Sequence, residues 1–189
     1  MREAAASCTG CDLYARATQV VFGSGTRRAR IVFVGEQPGD REDLEGRPFV
    51  GPAGAILTRA MSEAGIEPVD SYVTNAVKHF SWEPRGKRRL HKKPRLSEVR
   101  ACRPWLEAEL DAVKPVVIVC LGATAAQSLL GTTFRLTAHR GEALESPWAS
   151  AVIATIHPSA VLRAPDSESR RLAFESFVAD LKVAARAMK

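Results

Sequence analysis

Polar and ionisable residues lie at the ends of four short apolar segments of this sequence, residues 29–35, 71–77, 115–122 and 151–157. They are Glu36, Gln37 and Asp40 after the first segment, Asn75 within the second, and His157 with Ser159 at the fourth, while the third ends at Cys120 and Gly122. Carboxylates and imidazoles transfer protons, and amides both donate and accept hydrogen bonds. Asp40 alone would fit a helix cap and Asn75 alone a strand-end turn. The agreement between segment ends favours a pocket that performs chemistry.

The four cysteines suggest a second kind of chemistry. Cys8 and Cys11 form a CxxC pair, whereas Cys102 and Cys120 stand apart. Close spacing suits a shared zinc ion or iron–sulfur cluster, because neighbouring turn residues can direct two thiolates at one centre. A thioredoxin-like redox pair fits less well, since that motif follows a strand, whereas this pair precedes the first apolar segment. Cys120 lies within an apolar run and is expected to be buried, so His79 is the other candidate for a fourth ligand.

The basic residues are concentrated in one stretch of the chain. Residues 78–100 hold nine Lys or Arg and two Glu, while the whole chain carries a net charge of only +6. Pro84, Gly86 and Pro94 rule out one continuous helix and predict a mobile basic loop. Phosphate is the natural counterpart of such a charge density. A solvated loop with no dedicated partner is the alternative.

Length and composition exclude several classes of protein. A chain of 189 residues with 46% hydrophobic and 25% charged residues is typical of one globular domain, here residues 1–189. We expect no obligatory protein partner. The longest apolar stretch, residues 115–126, is too short for a membrane span. The first residues lack the apolar core of a signal peptide, which predicts a protein of the reducing cytosol.

The apolar segments must form the elements that position the polar residues. Each segment is short and rich in β-branched residues, as buried strands are. Helical spacing occupies the stretches between and after them, at 53–65, 97–113, 122–131 and 167–189. The alternation predicts an α/β fold, a three-layer αβα sandwich around a central four-stranded parallel sheet, with a further edge strand within 136–147. Such sheets bind ligands beyond the carboxyl ends of their strands.

Three motifs at these positions resemble the uracil-DNA glycosylase superfamily over almost the whole chain. They are GEQPGDREDLEGRPFVGPAG at 35–54, TNAVKH at 74–79 and HPSAVLR at 157–163. The nearest branch is the iron–sulfur family 4. The resemblance implies the same αβα sandwich and a partner that is uracil-containing DNA, single-stranded or duplex. It also implies a bacterial cytoplasmic protein that works on the chromosome.

Three features depart from family 4. Gln37 stands where that family usually has Ala or Gly, His79 stands at its third cluster cysteine, and an inserted basic loop at about 82–95 carries KRRLH at 87–91. These features look like UdgX, a branch that binds uracil-containing DNA and becomes covalently attached to it. The resemblance implies a [4Fe–4S] cluster on Cys8, Cys11, His79 and Cys102, with Cys120 matching no ligand position.

The resemblance also implies how DNA and base would be held. A base inside a duplex is unreachable, so the nucleotide must be extruded or single-stranded. Ser159 would bind phosphate, and Leu162 with Arg163 would fill the space left by the base, although Leu162 would also suit core packing. The loop residues Lys87, Arg88 and Arg89 would hold DNA phosphate.

Uracil itself would be recognised by an amide and an aromatic ring. Asn75 can meet the uracil edge with its NH₂ and C=O groups but mismatches the exocyclic amine of cytosine. Phe49 would stack on the base, with plain burial as its alternative role. Gly35 opens the first motif and belongs to the same binding site by resemblance.

The remaining matched residues imply the chemistry. His157 would donate a hydrogen bond to the departing uracil anion. Glu36 and Asp40 would stabilise the cationic sugar or activate a nucleophile, whereas the amide of Gln37 can only orient water, base or backbone. His91 closes KRRLH; in this branch the imidazole would attack C1′ in place of water and stay bonded. Without the resemblance, His91 would be an ordinary loop histidine.

The sequence therefore supports four functions in descending order. The first is uracil excision with covalent, single-turnover capture of the DNA through His91. The second is a conventional multiple-turnover glycosylase of family 4. A non-catalytic iron–sulfur DNA-binding module is the third, and a redox iron–sulfur protein is the last, because nothing else in the chain suggests an electron partner.

Overall fold

The computed structural model describes residues 1–189, which form eight strands. These are β1 (Ser24–Gly25), β2 (Ile31–Gly35), β3 (Ser71–Asn75), β4 (Trp82–Arg85), β5 (Arg88–His91), β6 (Val117–Leu121), β7 (Ala143–Ser146) and β8 (Ala149–Thr155). Six of them make a central sheet in the order β1-β3-β2-β6-β8-β7, and β4 and β5 make a separate pair. The inner strands β3, β2, β6 and β8 are parallel, as predicted.

The sheet is larger than the four strands expected, because an antiparallel strand lies at each edge. β1 pairs with β3, and β7 pairs with β8. β1 has only two residues, too few to leave an apolar pattern. β7 falls within the stretch 136–147 where an edge strand was expected, after a short helical turn. The fold is thus an α/β sandwich with a mostly parallel, mixed sheet of six strands.

Helices cover both faces of the sheet. They are α1 (Arg2–Ala6), α2 (Asp40–Glu45), α3 (Pro52–Glu63), α4 (Leu96–Val113), α5 (Ala123–Leu130), α6 (Leu136–His139), α7 (Ser159–Leu162) and α8 (Ser167–Ala187), with 3₁₀ turns at Asp12–Ala15 and Pro68–Asp70. Successive strand residues point to opposite faces. Phe33 of β2 packs with α3, α7 and α8, while its neighbours Val32 and Val34 pack with α4 and α5. The predicted three layers are confirmed.

The basic stretch forms a β-hairpin in place of the mobile loop expected from the sequence. β4 and β5 pair antiparallel, from Trp82 opposite His91 to Arg85 opposite Arg88. The turn contains Gly86, whose φ of 59° lies in the left-handed region that glycine adopts without strain. Polar strands of four residues carry no apolar alternation, so the pattern used to predict strands missed them. The hairpin gives its terminal residue His91 a defined position.

A buried ion pair fastens the end of β3 to α4. Lys78 and Glu109 are both almost inaccessible, and the ammonium of Lys78 contacts the Glu109 carboxylate. The same carboxylate accepts hydrogen bonds from the backbone N–H of Gly23 and the hydroxyls of Tyr72 and Thr74. Buried charges are tolerated when they are paired and fully hydrogen-bonded, and both conditions hold here. The network fixes the strand that carries Asn75.

No helix of the structure has both the length and the apolar character needed to cross a membrane.

Candidate active site

A cavity of about 870 Å³ lies at the carboxyl ends of the parallel strands, where sheets of this type bind their ligands. The cavity collects most of the residues that the sequence singled out. These are Glu36, Gln37, Asp40, Phe49, Asn75, His91, His157, Ser159, Leu162 and Arg163. Lys87 and Arg88 lie outside it, exposed at the hairpin turn. Thr124, which also lines the cavity from the start of α5, carried no signal in the sequence.

The cavity floor is built by the close approach of three residues. Asn75 is 2% exposed, and its side-chain amide faces the cavity without a hydrogen-bond partner in the protein. A Cβ on Gly35 would lie 2.3 Å from Asn75 Oδ1 and 2.8 Å from Phe49 Cζ, so any larger residue would displace both side chains. Phe49 has a φ of 56°, a strained value for a bulky residue that persists only where the surroundings impose it. The amide of Asn75 and the ring of Phe49 are thus held together at the cavity floor.

Glu36 and His91 form the contact that joins the sheet to the hairpin. His91 Nε2 lies 3.3 Å from Glu36 Oε1, and the Thr124 hydroxyl donates to the other carboxylate oxygen. Burial would raise the pKa of Glu36, but hydrogen bonds from His91 and Thr124 outweigh it and lower the pKa. An ionised carboxylate therefore faces an imidazole whose side chain is 51% exposed. The arrangement can orient that ring and take up a proton from it.

Gln37 closes the base of the hairpin through backbone groups. Its amide nitrogen donates to the carbonyls of Ser81 and Lys92, at 3.0 and 3.1 Å, and its amide oxygen accepts from the Ser81 N–H at 3.0 Å. Ser81 precedes β4 and Lys92 follows β5, so one buried side chain joins both ends of the insertion. Of the roles expected for this amide, the structure shows orientation of the backbone.

Arg89 anchors the middle of the hairpin to α2. Its guanidinium lies 2.6 Å from Asp40 Oδ1 and 2.6 Å from Asp43 Oδ2, and it lies over the rings of Phe80 and Trp82. The expected contact of Arg89 with DNA phosphate would compete with these two carboxylates. Asp40 lines the cavity, but its carboxylate forms an ion pair with Arg89. Asp43 is fully buried, and nothing in the sequence distinguished it from the exposed acidic residues Asp40 and Glu45 of the same helix.

His157 is held in one neutral tautomer at the cavity wall. The Ser159 N–H donates to its Nδ1 at 3.2 Å, so Nδ1 carries the lone pair and Nε2 carries the proton. Burial is the main cause that lowers the pKa of His157 to about 4. Arg163 donates to the Ser159 hydroxyl, which lies 2.7 Å from Nδ1. Ser159 and Arg163, expected to serve DNA, thus orient this imidazole as well.

Three of the four cysteines lie near one another, at the side of the sheet that carries α4. The Trp105 indole donates to Cys8 Sγ at 3.2 Å, the Lys78 N–H donates to Cys102 Sγ at 3.1 Å, and Cys11 packs against the small buried cluster that contains Cys102. Hydrogen bonds from N–H groups to sulfur tune iron–sulfur thiolates, so the donor set fits such a cluster. Burial raises the pKa of the Cys102 thiol to about 11 against the opposing charge of Lys78.

His79 and Cys120 behave differently. His79 is 5% exposed and burial lowers its pKa, so its ring is neutral and able to act as a ligand. Cys120 is fully buried among apolar side chains, as expected from its segment. No three His, Cys, Asp or Glu side chains converge closely enough in this structure to hold a single metal ion.

A mostly parallel sheet whose carboxyl edge carries carboxylate, amide and imidazole groups defines an α/β protein with an enzyme-like site. Residues 22–182 match the Uracil DNA glycosylase superfamily. A Type-4 uracil-DNA glycosylase of Thermotoga maritima is 42% identical over 169 residues, 89% of this chain and 84% of that protein. The Type-4 enzyme of Archaeoglobus fulgidus is 42% identical over 166 residues, 84% and 80% of the two chains. A Type-5 enzyme of Thermus thermophilus is 33% identical over 185 residues, 88% and 79%. The chain belongs to the uracil-DNA glycosylase superfamily.

Replacing Gln37 with Ala should loosen the hairpin, because it leaves two carbonyls and one N–H without their partner. An unmade buried hydrogen bond costs about 1–3 kcal/mol, so we expect backbone amides of residues 81–92 to exchange with deuterium about tenfold faster or more. Gln127→Ala is the matched control, since it removes a hydrogen bond from a side-chain amide to a backbone carbonyl, that of Phe134, outside the hairpin. Hairpin amides that keep the wild-type exchange rate in Gln37→Ala would contradict this role.

His157 should remain neutral across the pH range in which an ordinary histidine titrates. Its pKa of about 4 lies below the usual 6.5, so its ring signals in NMR should not shift between pH 8 and about 5.5. Below pH 6.5 the unfolded chain binds a proton that the folded protein does not, so this residue's contribution to stability falls as the pH drops from 6.5 toward 4. A titration midpoint of the His157 ring signals near pH 6.5 would contradict the conclusion that this ring is buried and neutral.

Proposed function

We propose that this protein excises uracil from DNA and then remains bonded to the DNA through His91. The observation that carries the proposal is the hairpin histidine, held 3.3 Å from the ionised Glu36 in the cavity that also contains Asn75 and His157. Membership of the superfamily and the similarity to Type-4 enzymes support the glycosylase activity. The covalent step is supported by the resemblance of the insertion to UdgX.

Recognition would begin with the DNA backbone and end with the base. Lys87 and Arg88 are exposed at the hairpin turn without carboxylate partners and are free to meet phosphate. Leu162 is 39% exposed at the cavity mouth, where it can occupy the space of an extruded nucleotide. Inside, the free amide of Asn75 would pair with the uracil edge, and Phe49 would lie against the ring.

Bond cleavage would use His157 as a neutral donor. When the bond between C1′ and uracil N1 breaks, the electron pair leaves with uracil and its negative charge spreads to O2. A prepositioned N–H in a site that excludes water stabilises such a charge strongly. The hydrogen bond that Ser159 makes to Nδ1 leaves Nε2–H as the donor. The ionised Glu36 would stabilise the positive charge that develops on the sugar.

Covalent capture of the DNA would use the imidazole of His91. The lone pair of one His91 nitrogen attacks C1′, a C–N bond forms, and the ring becomes a substituted imidazolium. The proton on its second nitrogen then passes to Glu36, and the uracil anion takes up a proton from water. Water could release the DNA only by attacking C1′ and breaking that new C–N bond, and the bonded imidazole occupies the position from which water would attack. The reaction therefore stops after one turnover.

Substituting His91 tests the covalent step. We expect wild-type protein mixed with a labelled uracil-containing oligonucleotide to give a band that survives heat and SDS, with no band from a thymine-containing control. His91→Ser should lose the band and release uracil in excess over protein, because water can then reach C1′. Glu36→Gln should slow band formation by roughly 10²-fold, the contribution of a general base.

The control is His139→Ser, which removes another exposed imidazole paired with a glutamate, Glu142, away from the hairpin. This variant should keep the band. A persistent band in His91→Ser would eliminate His91 as the attachment point. Uracil release by wild type without any band would identify a multiple-turnover glycosylase instead.

We further propose a [4Fe–4S] cluster on Cys8, Cys11, His79 and Cys102. Support comes from the N–H groups directed at the sulfurs of Cys8 and Cys102 and from the neutral, buried ring of His79. Such a cluster would tie the N-terminal segment to α4 and to the chain that enters the hairpin.

Anaerobically purified protein should contain about four iron atoms per chain and should show the visible absorbance that is typical of iron–sulfur proteins. Cys102→Ala should lose the iron and the absorbance together. Cys120→Ala is the matched control and should retain both, because it changes the one cysteine outside the proposed ligand set. Full iron content in Cys102→Ala, or loss in Cys120→Ala, would contradict the assignment.

A further inference from the structure

A second cavity of about 480 Å³ lies beside the active-site cavity, between the exit of the hairpin, the first turns of α4 and the helix α5. Its volume lies in the range of roughly 300–1,000 Å³ found for ligand sites. It is lined by Lys93, Pro94, Leu96, Val99, Arg100, Arg103, Thr124, Gln127, Ser128, Gly131 and Thr132, which we term the basic groove. Lys93 and Thr124 line both cavities, so the two adjoin at these residues.

The basic groove has the electrostatic character of a phosphate site. Lys93, Arg100 and Arg103 supply its charges, and no acidic residue lines it. Lys93 and Arg100 form no ion pair within the protein, whereas Arg103 shares its charge with Glu107. Unpaired cations around a concave surface attract polyanions. The active-site cavity differs, because Glu36, Asp40 and Glu42 line it together with the cations Arg41, Lys93 and Arg163.

The other lining groups suit recognition that does not depend on base sequence. Gln127, Ser128 and Thr132 offer amide and hydroxyl groups, which commonly contact phosphate and sugar. Leu96 is 49% exposed and presents an apolar surface beside them. Proteins that hold single strands combine a positively charged groove along the backbone with aromatic side chains that stack on bases, and the basic groove has the first of these two features.

Chain continuity points to one occupant. A nucleotide in the active-site cavity remains bonded to its neighbours, so its strand must cross the cavity rim. On one side of that rim lies α2, which carries four acidic residues and a single basic one, Arg41, and whose Asp40 and Asp43 already hold the guanidinium of Arg89. On the side of Lys93 lies the basic groove, which has no carboxylate.

We infer that the basic groove binds the sugar–phosphate backbone of the uracil-containing strand immediately beside the extruded nucleotide, on one side of the uracil only. Arg100 and Arg103 would contact successive phosphates, and Lys93 would contact the phosphate at the junction of the two cavities. The inference rests on the proposed function, because the strand is placed by the nucleotide that the active site holds.

The test compares substrates extended on one side. A short oligonucleotide with one nucleotide on each side of the uracil is compared with oligonucleotides extended by about six nucleotides on the 5′ or the 3′ side, a length within the reach of one single-strand site. Rates of uracil release and of covalent capture are measured below saturation. The variant is Arg100→Ser/Arg103→Ser, which changes two exposed side chains on α4.

Wild type should react faster with one of the two extended substrates. In the variant, the gain from extension should be about 3- to 10-fold smaller, while the rate with the short substrate should equal that of wild type. The log–log slope of the variant's binding constant against salt concentration should be shallower by about 0.7 for each phosphate that it no longer binds. Arg100→Lys/Arg103→Lys should retain most of the gain. The charge-matched control Arg27→Ser/Arg28→Ser, at the amino edge of the sheet, should behave as wild type.

A gain from extension that the variant keeps in full would overturn the inference, and so would the absence of any gain in wild type on either side. Binding of a labelled uracil-free single strand, followed by fluorescence anisotropy, separates the groove from the chemistry. If no uracil is released from any substrate, the proposed function fails, yet weaker anisotropy binding by the variant would still support the groove. Equal displacement of that strand by polyglutamate would show a groove without preference for nucleic acid and would contradict the assignment.

Discussion

The closed base of the hairpin is the constraint on which the candidate chemistry depends. His91 sits at the end of a strand pair that belongs to no sheet of the core. Three attachments hold it: the Gln37 amide at both ends of the insertion, Arg89 on the carboxylates of α2, and the contact with Glu36. Because Glu36 and Gln37 are consecutive after β2, a single strand end sets both the partner of the imidazole and the anchor of the hairpin that carries it.

The two histidines of the site, His91 and His157, have different environments. His157 is buried, neutral and oriented by Ser159, which suits a group that must donate one hydrogen bond without changing its charge. His91 is half exposed and rests on an ionised carboxylate, which suits a group that must become cationic. A carboxylate beside a forming imidazolium lowers the cost of that charge. Burial and partners thus give two residues of one type different properties, which suit the different tasks proposed for them.

Particular residues show how far sequence reasoning reaches. Asn75 and His157 could be predicted as site residues because parallel strands must end at one edge of the sheet, whatever the details of packing. Gln37 could not be assigned a partner, since it binds the backbone of Ser81 and Lys92, and backbone groups carry no sequence signal. Arg89 looked like its neighbours in a basic run, yet its partner Asp43 lies 46 residues earlier in the chain. Local patterns specify elements and edges, while pairings between distant polar groups depend on the finished tertiary structure.

Lys78 links the strand end that carries Asn75 to the cysteines, which the sequence presented as two separate features. Its ammonium donates to the carbonyl of Asn75 and contacts Glu109, while its backbone N–H donates to Cys102 Sγ. One residue therefore supports both the strand end that carries Asn75 and the sulfur of a cysteine on α4. A buried pair of this kind adds little to stability when compared with apolar packing, but it admits few alternative arrangements. Any shift of Cys102 must move the Lys78 backbone, and the Asn75 carbonyl is bound to the same residue. The cysteines and the strand end that carries Asn75 are in this sense mechanically linked, so the proposed cluster would have a structural role beside a site that needs no redox chemistry.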